Sequence, residues 1–142
     1  MAFEIRFLTR GYGSHAAFIR ENGRIFENFW PHVRERDFLP GELNQVEIYT
    51  LEGMTYAESS TLERWMDDQL KNPPPYSVCD LFRYAVNLPP VSGSSCFCSQ
   101  YVLRGLRKCL SEEKQPLMRL EYQDFASPRD LRLSPRLHRC YL

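Results

Sequence analysis

The sequence lacks an excess of charge of either sign. Its 142 residues include 18 Lys and Arg and 18 Asp and Glu, so the formal net charge at pH 7 is zero. Nucleic acids and anionic membrane surfaces attract proteins that present a basic surface. The charge balance therefore disfavours both as main binding partners, and we expect no nucleic-acid partner.

A long hydrophobic run is also missing. No segment approaches the roughly 20 apolar residues that a transmembrane helix needs. The first ten residues alternate charged and apolar side chains, whereas a secretory signal peptide has a continuous apolar core. We therefore expect no integral membrane segment, and a location in the cytoplasm or in another reducing compartment.

The sequence lacks an even number of cysteines. The five are Cys79, Cys96, Cys98, Cys109 and Cys140. An odd count without a secretion signal favours free thiols over a disulfide framework. At least one of these thiols should then be explained by chemistry or by burial.

The hydrophobic pattern changes from a period of two to a helical period near the middle of the chain. Period-two segments predict strands at 3–8, 15–20, 24–29 and 46–51, with a loop over 30–45 that includes up to one turn of helix. Helical spacing predicts helices over 55–70, over 78–87, and from about 96 to 110. Short elements are expected at 119–122, 127–133 and 137–142. No internal repeat occurs, so we predict a single α+β domain over residues 1–142.

The third predicted helix carries the most informative cysteine. With Ser95 as the N-cap, Cys98 lies in the first helical turn, where free N–H groups and the helix dipole favour a thiolate. Cys98 shares an inward face with Gly105, which permits the close approach of another element. A thiolate at the start of a buried helix suits a cysteine nucleophile. The alternative is that Cys98 is a small core residue.

A base for this nucleophile is available in the first half of the chain. His15 opens a predicted apolar strand, and Glu27 lies in the strand that returns after the turn at 21–23. Across this hairpin, the carboxylate could hold the imidazole and fix its tautomer. The alternatives are that His15 is a structural core histidine and that Glu27 points to solvent.

Four segments of the sequence resemble motifs of a known superfamily, and they follow one another along the chain in the order found in that superfamily. Residues 97–106 (FCSQYVLRGL) closely resemble the Cys-Ser-x-x-Val helix of the circularly permuted papain-like hydrolases. These are relatives of the NlpC-type cell-wall peptidases and include the YiiX/YaeF-like branch and the lecithin:retinol acyltransferase group. Residues 13–19 match the family's Ser-His strand, and residues 23–29 resemble its following polar strand. Residues 126–135 are similar to the Thr/Ser-Pro-x-Asp-Leu segment of the YiiX-like branch.

The resemblance implies both a fold and a chemistry. It implies a permuted papain-like fold, a small antiparallel sheet packed against a nucleophile-bearing helix. It selects Cys98 rather than Cys96 as the nucleophile, with His15 and Glu27 completing a catalytic triad and with no cofactor. The substrate would be a peptide, a peptidoglycan fragment or an acyl lipid. We expect a cysteine peptidase or amidase. A lipid acyltransferase or thioesterase of the same fold, and a catalytically inactive interaction domain, are the alternatives.

A zinc-stabilised binding module is a further alternative. Cys96, Cys98, His138 and Cys140 are residue types that bind zinc well. However, Cys-x-Cys and His-x-Cys differ from the usual ligand spacings, and a core of this size needs no metal in order to fold. We therefore expect no metal.

Overall fold

Alternating apolar residues build one antiparallel sheet. The computed structural model describes residues 6–10, 15–86, 88, 97–115 and 127–140. Its strands are β1 (Arg6–Arg10), β2 (His15–Ile19), β3 (Ile25–Phe29), β4 (His32–Arg36), β5 (Val46–Leu51) and β6 (Leu137–Cys140). Their order across the sheet is β4-β3-β2-β1-β5-β6, and neighbouring strands are antiparallel. Together with the helices below, this sheet confirms the predicted α+β class.

The β2–β3 hairpin forms at the predicted turn. Gly23 has a φ of 80°, a left-handed conformation that glycine adopts without steric cost. The Asn22 side chain accepts a hydrogen bond of 2.9 Å from the backbone N–H of Arg24. The turn sets a register in which Phe18 lies opposite Phe26.

β4 corrects the predicted loop over 30–45. Val33 is buried, and its neighbours in β4 alternate between the two faces of the sheet, so the segment pairs with β3 along its full length. The sequence pattern is hidden because four of the five residues of β4 are polar or charged. They are tolerated because β4 is an edge strand in the described sheet and its arginines find acidic partners.

The helices follow the predicted order. They are α1 (Tyr56–Lys71), α2 (Val78–Ala85), α3 (Cys98–Cys109) and the short α4 (Pro128–Arg132). α1 and α4 each begin with a capping box, formed by Thr55 with Glu58 and by Ser127 with Asp130. In the described part of the chain, no helix has the length and hydropathy needed to cross a membrane. The strand predicted at 119–122 lies outside the described residues.

The orientation of α2 differs from the prediction. The helical spacing of Leu81, Phe82, Ala85 and Val86 in the sequence predicts that these four residues face inward. In the structure, all four are exposed. The start of the helix explains the difference. Tyr76 N–H donates to the Pro31 carbonyl, and the Ser77 hydroxyl accepts from Asp80 N–H. Ser77 and Asp80 are buried, so this anchored polar side faces the domain and the apolar side faces outward.

α1 and α3 cover one face of the sheet and enclose the main core. Phe18 and Phe26 contact Trp65 of α1, and Trp65 in turn packs against Tyr101 of α3. Gly105 lies at the point of closest approach, as the sequence predicted. A Cβ atom there would lie 2.6 Å from Trp65 Cζ3 and 3.2 Å from Phe18 Cζ. The absent side chain therefore allows α3 to pack close to α1 and β2.

Gly105→Ala is expected to destabilise the protein, because the added methyl group overlaps Trp65. Overpacking in a core costs about 1–3 kcal/mol, and the higher helix propensity of alanine offsets up to about 1 kcal/mol of it. Urea unfolding should show a lower midpoint than in the wild type. Lys108→Ala, on the exposed side of the same helix, should change the stability by less than about 0.5 kcal/mol. A Gly105→Ala protein as stable as the wild type would contradict this packing.

Candidate active site

His15 is the first residue of β2, and its side chain lies on the face of the sheet that α1 and α3 do not cover. Ala17 and Ile25, on that face, form a small second core. Continuing the register of the β2–β3 pair places His15 across from Phe29, and the two rings meet edge to face at 5.6 Å. Glu27 lies on the same face as Phe29, because residues two apart in a strand share a side. The hairpin therefore brings His15 and Glu27 together, as predicted.

Glu27 is a buried carboxylate with three cationic partners. His15 Nε2–H donates to Glu27 Oε2 at 2.9 Å. Arg34 lies directly opposite Glu27 in β4, and its Nε donates to Oε1 at 2.9 Å. Arg36 Nε donates to the same oxygen at 2.8 Å. Burial would raise the pKa of Glu27, but the hydrogen bonds from His15, Arg36 and Arg34 lower it to about 2. The carboxylate is therefore ionised at neutral pH, and it does not point to solvent.

A second carboxylate holds Arg36 in place. Arg36 Nη1 and Nη2 donate to the two oxygens of Glu42, each at 2.8 Å. Glu42 is itself buried and also accepts from the backbone N–H of Leu39 at 2.9 Å. This bidentate pair fixes the guanidinium that contacts Glu27.

Cys98 is the first residue of α3, whereas an N-cap at Ser95 would make it the third. Phe97 has extended backbone angles and is the N-cap, and its N–H donates to Gln100 Oε1 at 3.3 Å. Ser95, the expected cap, lies outside the described residues. Phe97 is 1% exposed and packs against Cys98 and Tyr76. Burial of the Phe97 ring fixes the position at which α3 begins. Cys98 is therefore closer to the N-terminus of the helix than the sequence predicts.

The pKa values of His15 and Cys98 shift in opposite directions. Burial would lower the pKa of His15, but hydrogen bonds with Cys98 and Glu27 outweigh it and raise the pKa to about 9. Burial would raise the pKa of Cys98, but His15 and the backbone N–H groups of Ala16 and Ser99 hold it below its ordinary value. Because Glu27 occupies Nε2, Nδ1 is the ring nitrogen left for the thiol. The arrangement favours a thiolate–imidazolium pair.

A cavity of about 580 Å³ lies beside His15 and Glu27. Its lining residues are His15, Glu27, Phe29, Trp30, Arg34, Arg36, Leu39 and Tyr76. Tyr76 also packs against the small cluster formed by Phe97 and Cys98, at the start of α3. A volume of this size accommodates a small molecule or a short peptide segment.

Sequence reasoning missed Arg34 and Arg36. The signal was present in residues 32–36 (HVRER), where the two arginines are spaced two apart and would therefore share one face of a strand. Assigning this segment to a loop concealed the face on which they lie. Arg34 lies opposite Glu27 because of the register in which β4 pairs with β3. A segment assigned to a loop has no such pairing, so its contacts cannot be predicted in this way.

The arrangement of the strands disfavours the zinc alternative. His138 and Cys140 lie in β6, whereas Cys98 contacts His15 of β2, and β1 and β5 lie between these two strands. Three strand spacings amount to about 14 Å, too far for ligands of one ion. Among the residues that the structure describes, no three His, Cys, Asp or Glu side chains are grouped to hold a metal ion. Cys96 lies outside this set.

Comparison with protein-family models, with curated proteins and with solved structures finds no match to this chain. The papain-like resemblance therefore stays a prediction from short motifs. The functional assignment depends on the geometry of Cys98, His15 and Glu27.

Proposed function

We propose that this chain is a cysteine hydrolase of amide bonds that acts by acyl transfer through a thioester. The observation that carries the proposal is the His15 ring, which donates to Glu27 Oε2 at 2.9 Å and interacts electrostatically with the Cys98 thiol. These three residues supply a nucleophile, a base and a carboxylate that orients the base. Their order in the chain, with the histidine first and the cysteine last, supports a permuted papain-like fold.

Acylation begins with the Cys98 thiolate. Its sulfur attacks the carbonyl carbon of the substrate, an S–C bond forms, and the carbonyl π electrons move to the oxygen. The backbone N–H of Cys98, at the start of α3, donates to this oxyanion. The protonated His15 then gives its Nδ1 proton to the leaving nitrogen as the C–N bond breaks. The products of this half-reaction are a free amine and an acyl thioester on Cys98.

Deacylation uses the now neutral His15 as a base. It takes a proton from a water molecule, whose oxygen attacks the thioester carbonyl. Collapse of the tetrahedral intermediate breaks the S–C bond, releases a carboxylic acid and restores the thiolate. The buried Glu27 carboxylate stabilises the imidazolium in both half-reactions.

A panel of acyl donors tests the proposal. The purified protein is incubated with peptide amides, peptidoglycan fragments and lipid esters, and product formation is followed by mass spectrometry. We expect hydrolysis of an amide donor. A lasting lipid adduct without amide hydrolysis would favour the acyltransferase alternative. Absence of any product, together with no preferential labelling of Cys98 by an electrophilic thiol probe, would favour an inactive interaction domain.

The pH dependence of hydrolysis should differ from that of alkylation. We expect kcat/KM to rise as Cys98 ionises, at a pH below that of an ordinary thiol, because its pKa is lowered. It should then fall as the pH passes about 9, because His15 loses the proton that the leaving group needs. Alkylation of Cys98 by iodoacetamide needs only the thiolate, so its rate should not fall there.

The raised pKa of His15 also affects the stability of the protein. Protonated His15 stabilises the folded state, and this contribution is complete below the unfolded pKa of 6.5. It is lost as the pH rises through about 9, the pKa of His15 in the folded state. In His15→Ala, ionisation of Cys98 should move to higher pH. An unchanged ionisation of Cys98 in that variant would contradict the pairing.

A further inference from the structure

Two arginines contact Glu27, but they differ in how much of the guanidinium is engaged. Arg36 donates from Nε, Nη1 and Nη2 to Glu27, Glu42 and the Asp37 carbonyl, and its side chain is 18% exposed. Arg34 donates from Nε and Nη2, both to Glu27 Oε1, and its side chain is 42% exposed. Within the described part of the chain, Arg34 Nη1 has no hydrogen-bond partner. Arg34 therefore has donor capacity left at the cavity wall.

One aromatic ring contacts Arg34, and two others line the same cavity. The Cζ atom of Arg34 lies 4.6 Å from the centroid of the Phe29 ring, which holds the guanidinium plane in position. Trp30 and Tyr76 line the same cavity, and Trp30 is 65% exposed. An exposed indole beside a fixed guanidinium offers an apolar surface and an anion-binding group to one ligand.

We propose that this cavity selects substrates that carry a carboxylate next to an apolar or aromatic group, with Arg34 binding the carboxylate and the rings of Trp30 and Tyr76 contacting the apolar group. The proposal rests on the hydrolase function above and specifies the substrate class for that site. Arg34 and His15 bind the two different oxygens of the Glu27 carboxylate. A carboxylate on Arg34 would therefore lie at the cavity wall that also contains His15 and Glu27.

The charges around the cavity are compatible with an incoming carboxylate. Glu27, the acidic residue closest to Arg34, already accepts hydrogen bonds from three cations, and it is 2% exposed. Glu42 is likewise buried and paired with Arg36. Neither carboxylate presents an open anionic surface that would repel the ligand. A planar guanidinium edge suits a carboxylate better than a neutral amide, because the hydrogen bond is then charge-assisted on both sides.

The test compares two alkylating reagents that differ only in charge. N-bromoacetyl-phenylalanine carries an electrophile, an aromatic ring and a carboxylate, and its primary amide lacks the charge. In the wild type we expect the acid to alkylate Cys98 about tenfold faster than the amide, relative to their rates with a free thiol. Arg34→Gln should abolish this preference. Arg64→Gln, which removes an exposed arginine of α1, should retain it. No preference in the wild type, or a preference that persists in Arg34→Gln, would overturn the proposal.

The ratio of the alkylation rates of the acid and the amide shows whether Arg34 binds the carboxylate of the ligand or only holds Glu27 in position. If Arg34 acts only by holding Glu27, then Arg34→Gln slows both reagents equally and leaves the ratio unchanged, which would also refute the proposal. A binding measurement makes the test independent of thiol chemistry. Calorimetry with Cys98→Ala should show N-acetyl-phenylalanine binding about tenfold more tightly than its amide, and equal affinities would refute the proposal. A charge preference without turnover of any acyl donor would instead reject the hydrolase function and leave the carboxylate site standing.

Discussion

Cys98→Ala is expected to lower the rate of acyl-donor hydrolysis by about 10³-fold or more, while the protein remains folded. The thiolate forms the covalent bond in the first half-reaction, so no other described group can replace it in this mechanism. The small buried side chain makes the substitution mild for packing, and an unchanged circular dichroism spectrum should confirm the fold. Initial rates with the best donor of the panel are the measurement.

Cys109 provides the matched control, because it lies at the other end of the same helix. Burial raises the pKa of Cys109 to about 11, whereas the pKa of Cys98 is lowered. Cys109→Ala should therefore retain nearly full activity. Retained turnover in Cys98→Ala, or loss of activity in Cys96→Ala instead, would reject Cys98 as the nucleophile.

Glu27→Gln should impair both activity and stability. Glutamine keeps the shape of the side chain, but its amide nitrogen donates where His15 or the arginines need an acceptor. Loss of an orienting carboxylate reduces activity by about 10²–10⁴-fold. Breaking a buried ion pair costs about 3–5 kcal/mol. Enzyme assays and urea unfolding measure the two effects.

The pH dependence of the stability loss identifies its cause. Because the pKa of Glu27 is lowered from 4.5 to about 2, its charge contributes stability above pH 4.5, and this contribution is lost as the pH falls through about 2. The stability difference between the wild type and Glu27→Gln should therefore shrink as the pH falls through this interval. Glu47 lies in β5, two strands away from His15 of β2, and it pairs with Arg132 and Arg139, so Glu47→Gln should leave the activity unchanged. A pH-independent difference would indicate a packing effect instead.

The sequence predicted the elements whose pattern is local. The strand predicted at 46–51 matches β5 in full, because four of its six residues are β-branched or aromatic and favour strands. The hairpin was predictable because Asn22 and Gly23 favour the turn that forms. The hydrogen bond between His15 and Glu27 then follows from the hairpin, because the short turn places β2 and β3 side by side.

What the sequence could not predict depends on contacts between distant segments. The role of β4 depends on its pairing with β3, which makes a polar strand stable at the sheet edge. The orientation of α2 depends on the bond from Tyr76 to the Pro31 carbonyl, which no local periodicity encodes. The start of α3 depends on burial of the Phe97 ring, and this outweighs the usual preference for a polar N-cap.

The most direct test of the central claim is to locate the acyl group during turnover. The reaction with the best amide or ester donor is quenched with acid, digested and analysed by tandem mass spectrometry. The mechanism predicts that the peptide containing Cys98 gains the acyl group as a thioester, that the gain disappears in Cys98→Ala, and that hydroxylamine removes it. Turnover that proceeds with no acyl adduct on Cys98, or with the adduct on another residue, would contradict the account.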